Sequence, residues 1–144
     1  MNKDIPQYQG PEWSGTGYLT VRASMGSEAF PLEGARVTVR GNEPNFSAVI
    51  VELMTGRDGL TPKISLATPP RILTESPQEI PPYATYNIEA SLDGFYPVVA
   101  ENVPVFDGIT SVQPINFIPL SKNGKPDRFD PYGTIYKENE PYDL

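Results

Sequence analysis

An all-β sandwich is the fold class predicted by three features of this sequence. Runs of residues alternate apolar and polar with a period of two, the pattern of strands with one buried face. Asp-Gly pairs at 58–59, 93–94 and 107–108 punctuate those runs, and glycine there supplies the positive φ of a tight turn. Seventeen prolines and twelve glycines in 144 residues leave no room for long helices. A proline inside a helix costs about 3 kcal/mol.

Each element follows in order. Residues 1–16 are polar, carry prolines at 6 and 11 and the lone Trp13, and show neither helical nor strand period, so an N-terminal arm is expected. From Gly17, residues Leu19, Val21, Ala23 and Met25 alternate with Tyr18, Thr20, Arg22 and Ser24 as a first strand. A second strand sets Ala35, Val37 and Val39 inward against Arg36, Thr38 and Arg40, and Gly41-Asn42 ends it. Residues 46–55 are apolar at both parities, with Val49, Val51 and Leu53 on one side and Phe46, Ala48, Ile50 and Met54 on the other. Such a strand is expected to be covered on both faces, by the other sheet and a tail or by a neighbouring molecule.

The stretch TGRDGLTPKISLATPP, residues 55–70, reads as a hairpin. Its turn is Asp58-Gly59, and the strand that follows alternates Pro62, Ile64 and Leu66 with Lys63, Ser65 and Ala67. Pro69 and Pro70 stop it, having no N–H to give a ladder. After a proline-rich connection, Ala84, Tyr86, Ile88, Ala90 and Leu92 point inward, Asp93-Gly94 makes a hairpin turn, and residues 95–105 return as the partner. Beyond Asp107-Gly108 the last strand, within 109–120, places Ile115 and Phe117 on one face. That makes seven strands in a domain spanning 17–120, with a polar, tyrosine-rich C-terminal tail at 121–144.

Composition excludes whole classes of chemistry. The chain has no cysteine and no histidine, which removes zinc and copper sites built on sulfur or imidazole and every Ser-His-Asp or Cys-His mechanism. No cofactor is expected. The net charge of −7, from 18 acidic and 11 basic residues, repels polyanions, so nucleic acid is not an expected partner. No apolar run approaches the roughly 18–20 residues that span a bilayer, and residues 1–15 lack the apolar segment of a secretory signal. Membrane insertion is therefore not expected. Asp58, Asp93 and Asp107 each precede a glycine, but no D-x-[DN]-x-[DN]-G run accompanies them, and turn chemistry accounts for all three. No carboxylate pair stands out for glycosidase work, and Ser121-Lys122, adjacent on an extended chain, point to opposite faces.

Five blocks carry a family resemblance: G-x-L-x-V at 17–21, P-L-E-G-A-x-V-x-V at 31–39, T-x-x-D-G-x-T at 55–61, P-P-Y-A-T-Y-N-I-E-A at 81–90 and D-G-F-Y-P at 93–97. Together they resemble the carboxypeptidase regulatory-like, transthyretin-like β-sandwiches, a Greek-key, Ig-like fold. The nearest likeness is to the module of clostridial spore cortex-lytic and peptidoglycan-associated proteins. That resemblance implies a non-catalytic binding or structural module, not an enzyme, of the bacterial spore or cell envelope, made without an evident signal peptide. Its partner is then an envelope protein or peptidoglycan. The alternative is a self-assembling subunit of a filament, surface layer or virion, joined to its own copies through the terminal arms. Candidate interaction residues are Trp13, Tyr18, Phe46, Ile50, Tyr132 and Tyr136, aromatic or apolar groups in the arms, on an outward strand position or on the doubly apolar strand. Related surface sandwiches close a Lys–Asn isopeptide bond beside an acid. Glu89 and Asn116 match two of those groups, but Arg22 stands on the first strand, and a guanidinium is not a nucleophile.

Overall fold

Period-two alternation decides which face each strand buries. The computed structural model describes residues 13–42, 47–71 and 82–120, together with the backbone of 136–138. Its strands are β1 (Gly15–Met25), β2 (Phe30–Pro31), β3 (Arg36–Gly41), β4 (Val49–Met54), β5 (Ile64–Thr68), β6 (Tyr83–Ser91), β7 (Val98–Phe106), β8 (Thr110–Asn116) and β9 (Tyr136–Glu138). No helix occurs among the described residues. Leu19, Val21 and Ala23 of β1, Val37 and Val39 of β3, and Ala84, Tyr86, Ile88 and Ala90 of β6 are all buried, as their alternation predicts.

Two sheets share that core. In the four-stranded sheet β1 pairs antiparallel with β5 and with β2, and parallel with β8 over seven rungs from Tyr18↔Thr110 to Ser24↔Asn116. The five-stranded sheet has the order β4-β3-β6-β7-β9, antiparallel except for the last pair. Leu19, Val21, Leu66, Ile115 and Phe117 from the first sheet and Val37, Val39, Ile88, Val98, Val103 and Val105 from the second join one apolar cluster. Each such side chain, fully buried, contributes about 1.5–3 kcal/mol. The Tyr86 hydroxyl donates to the Ala67 carbonyl at 2.5 Å, a polar tether between the sheets.

The structure corrects several sequence expectations. Among the described residues nine strand segments stand where seven were expected, the additions being the two-residue β2 and the three-residue β9. The first strand starts at Gly15, two residues before the expected domain boundary. Residues 55–70 are not a hairpin: β4 pairs with β3 in the five-stranded sheet, whereas β5 pairs with β1 in the other. The Asp58-Gly59 turn therefore carries the chain from one sheet to the other, and Pro62 is exposed. The doubly apolar strand is an edge strand among the described residues, with Ile50, Val51 and Leu53 packed against the core and Met54 55% exposed.

Side-chain hydrogen bonds complete this corner alongside the isolated Arg22↔Leu60 bridge. The Thr61 hydroxyl accepts the Val21 N–H at 3.0 Å, while Thr61 N donates to the Val21 carbonyl at 2.9 Å. Thr55 does the same for the other sheet, its hydroxyl accepting Ala35 N at 2.9 Å and donating to the Leu32 carbonyl at 2.7 Å. Both threonines are buried. The Asp58 carboxylate accepts Leu60 N at 3.0 Å, closing the turn between them. Gly59 has φ +79°, and a Cβ there would come within 2.5 Å of the Ala23 carbonyl oxygen. Only glycine satisfies both conditions.

A second staple forms at Asp107, after β7. Its carboxylate accepts Arg71 N at 2.9 Å and Thr16 N at 3.1 Å, tying the exit of β5 and the start of β1 to the β7–β8 turn. These two backbone bonds, Arg71 first, lower the Asp107 pKa from its ordinary value of 3.8.

Two outcomes follow from these bonds. Thr61→Val keeps the shape but orphans the Val21 N–H, and is expected to cost about 1–3 kcal/mol, read as a lower urea midpoint at unchanged slope. A group with a depressed folded pKa stabilises the fold fully above its unfolded value and loses that contribution as pH falls through the folded one. Stability measured on acid titration below pH 3.8 should therefore decline less steeply in Asp107→Asn than in the parent chain.

Candidate functional site

The neighbours of β3 create a row of outward side chains across three strands. Arg36 faces Met54 of β4 on one side and Ser91 of β6 on the other, all on the solvent face of the five-stranded sheet. At the end of this row β6 stops and the chain turns through Leu92, Asp93 and Gly94. Phe95 N donates back to the Leu92 carbonyl at 3.1 Å, and Gly94 holds φ +89°. The segment after β8 straps onto this turn through Leu120 N to Gly94 O at 2.9 Å and Tyr96 N to Ile118 O at 3.0 Å. Phe95 is fixed from beneath by an edge-on contact with Phe117, ring centres 5.7 Å apart.

These segments enclose an open groove of about 480 Å³, within the range of small-molecule sites. Its walls are Met54, Leu92, Phe95, Pro97 and Leu120, and its polar groups are Arg36, Ser91 and Asp93. A shallower depression of about 250 Å³ continues along Arg36, Met54, Leu53 and Glu52. Arg36 thus stands between the two. A guanidinium presents a planar set of donors suited to a carboxylate or phosphate, while the aromatic and aliphatic walls accept an apolar body. Asp93 is the acid lining the same groove.

Three of the six candidate interaction residues, Trp13, Tyr18 and Ile50, lie among the described residues with their side chains. Tyr18 lies half-buried on β1 in the four-stranded sheet, with the Lys63 ammonium 5.1 Å from its ring centre. Trp13 and Ile50 are half-buried and pack against the core. The backbone of Tyr136 pairs with Val98 on the edge of the five-stranded sheet. Phe46 and Tyr132 lie outside the described residues. Arg22, Glu89 and Asn116 are also separated: Glu89 pairs with Arg40 at 2.9 Å on the five-stranded sheet, whereas Arg22 and Asn116 sit on β1 and β8 of the other. Among the described residues no group of three or more acidic, cysteine or histidine side chains can hold a metal ion.

A second polar cluster marks the other end of the five-stranded sheet. Asn42 donates to Thr85 at 2.9 Å and to Asn102 at 2.8 Å, and accepts from Asn87 at 3.1 Å. Asn87 in turn accepts Asn102 N at 3.1 Å, where Asn102 takes φ +60° beside the β6/β7 register shift. These amides satisfy one another and brace the bulge.

No protein-family model matches the chain, and no curated protein sequence matches it either. Solved structures do. The chain is similar to a mercury-inhibited catechol 1,2-dioxygenase from Acinetobacter sp. ADP1, at 11% identity over 93% of this chain and 61% of that one, TM-score 0.54. It is also similar to hydroxyquinol 1,2-dioxygenase from Pseudomonas putida DLL-E4, at 10% identity over 83% and 63%, TM-score 0.50. A third likeness is to the Bacillus anthracis TIE protein, at 18% identity over 75% of this chain and 17% of that one, TM-score 0.47. The chain spans less than two thirds of the length of each of these structures.

These findings correct the functional expectation. The family resemblance and the lack of a His- or Cys-based catalytic set predict a non-catalytic envelope module rather than an enzyme, with a self-assembling subunit joined through its arms as the alternative. The similar solved structures include dioxygenases, so the shape carries no such implication. At these identities the likeness concerns the fold alone.

Proposed function

We propose that the chain is a Greek-key sandwich of the transthyretin-like, carboxypeptidase regulatory-like type, and that it binds a small organic anion in the groove at the 91–97 end. The observation that carries this reading is the convergence of Arg36, Ser91 and Asp93 with apolar walls in about 480 Å³. Arg36 supplies the charge that selects a carboxylate or related anion, Ser91 adds a hydrogen-bonding hydroxyl, and Phe95 with Met54 and Leu92 hold the apolar body. Asp93 is the acid of the groove. It disfavours ligands carrying a second negative charge at that end.

The proposed family assignment rests on the five sequence blocks at 17–21, 31–39, 55–61, 81–90 and 93–97. The T-x-x-D-G-x-T block is the corner between the sheets, and D-G-F-Y-P is the turn that forms one wall of the groove. The groove thus uses family turns for its frame, while Arg36 and Met54 contribute its chemistry from exposed strand positions.

Binding is tested with 4-fluorobenzoate followed by fluorine NMR on the full chain. Saturable binding is expected, weakened about tenfold or more by Arg36→Gln, the equivalent of about 1.4 kcal/mol for the lost charged contact. Phe95→Ala should weaken it as well. An absence of binding, or binding indifferent to Arg36, would remove this reading.

A further inference from the structure

Away from the groove, on the outer face of the four-stranded sheet, three buried polar atoms have no hydrogen-bond partner among the described residues: Arg22 Nε, Ser24 Oγ and Asn116 Oδ1. Ser24 is 2% exposed. The register brings the three together, because Ser24 faces Asn116 across the parallel β1/β8 pair and Arg22 precedes Ser24 by two residues on the same face. Folded proteins pair nearly all such atoms with protein or ordered water. We propose that Arg22, Ser24 and Asn116 hold one bound water molecule that is an integral part of the fold.

The donor and acceptor inventory matches that occupant. Arg22 Nε–H only donates, Asn116 Oδ1 only accepts, and the Ser24 hydroxyl does both. A water accepts from Arg22 and Ser24 and donates to Asn116, completing all three with one hydrogen to spare. A Ser24 hydroxyl accepting from Arg22 and donating to Asn116 would also complete the set, but neither direct bond is made in the structure, and a water spans both gaps. Charge selects a neutral occupant. The Arg22 guanidinium is already paired with the Glu28 carboxylate, so a cation meets the arginine and an anion meets the glutamate.

The turn after β1 sets this arrangement. Gly26, Ser27 and Glu28 take φ of +65°, +55° and +71°, three left-handed residues in succession. Non-glycine residues hold that conformation only where their surroundings over-determine it. Here it returns Glu28 to Arg22 and fixes the orientation of the guanidinium, and with it the direction of Nε–H.

The test has two readouts on the full-length chain. Ser24→Ala is expected to raise the urea-unfolding equilibrium constant about five- to tenfold, because it removes one of the water's three partners. An unchanged or lowered constant overturns the proposal, since deleting an orphaned hydroxyl costs nothing. A high-resolution crystal structure is expected to show an ordered water within hydrogen-bond distance of all three atoms. A dry site, or a direct Ser24–Asn116 bond, overturns the proposal even where Ser24→Ala destabilises.

Discussion

The two sheets are tied to each other by hydrogen bonds that no β-ladder supplies. At the corner of residues 55–61 the chain leaves one sheet for the other, and its buried backbone must still be paired. Thr55 and Thr61 supply the missing partners, one for Ala35 at the head of β3 and one for Val21 in the middle of β1. Everything downstream inherits this constraint. It sets where β3 begins, hence which rung holds Arg36, and it sets where β5 joins β1. The Tyr86–Ala67 bond repeats the device across the interior.

The groove is a consequence of that placement. Its floor is a row of outward positions at the ends of β3, β4 and β6, and its rim is the turn that leaves β6. The strap from 118 to 120 closes the far side and couples the rim to the opposite sheet. A ligand that orders the 92–97 turn is therefore felt at Phe117, whose ring lies in the core against Phe95.

Much of the fold was legible because alternation is local. The inward sets on β1, β3 and β6 needed only their own residues. Sheet membership was not legible, because Asp58-Gly59 has the same turn chemistry whether the flanking strands pair with each other or part company. The parallel partnership of β1 with β8 joins residues about ninety apart, and nothing near Tyr18 announces Thr110. Likewise the groove draws on residues 34, 36, 54, 91–95, 97 and 120, so it exists only once the register is known. Arg36 read as an ordinary outward arginine. The signal that marks it is its position facing Met54 and Ser91 at a strand end, a property of pairing and not of sequence. Exposure alone likewise says nothing about which surface a side chain shares.

The parallel pairing of β1 and β8 also determines how the domain bears load. Chain entering through β1 and leaving through β8 does so from opposite ends, because the two strands run the same way. A pull applied across the described domain slides one strand along the other, so all seven rungs from Tyr18↔Thr110 to Ser24↔Asn116 are stressed together. An antiparallel pair loaded at one end opens rung by rung. The β1/β8 seam is thus loaded in shear, and the chain beyond β8 adds the 118–120 strap and the β9/β7 pairing as further attachments.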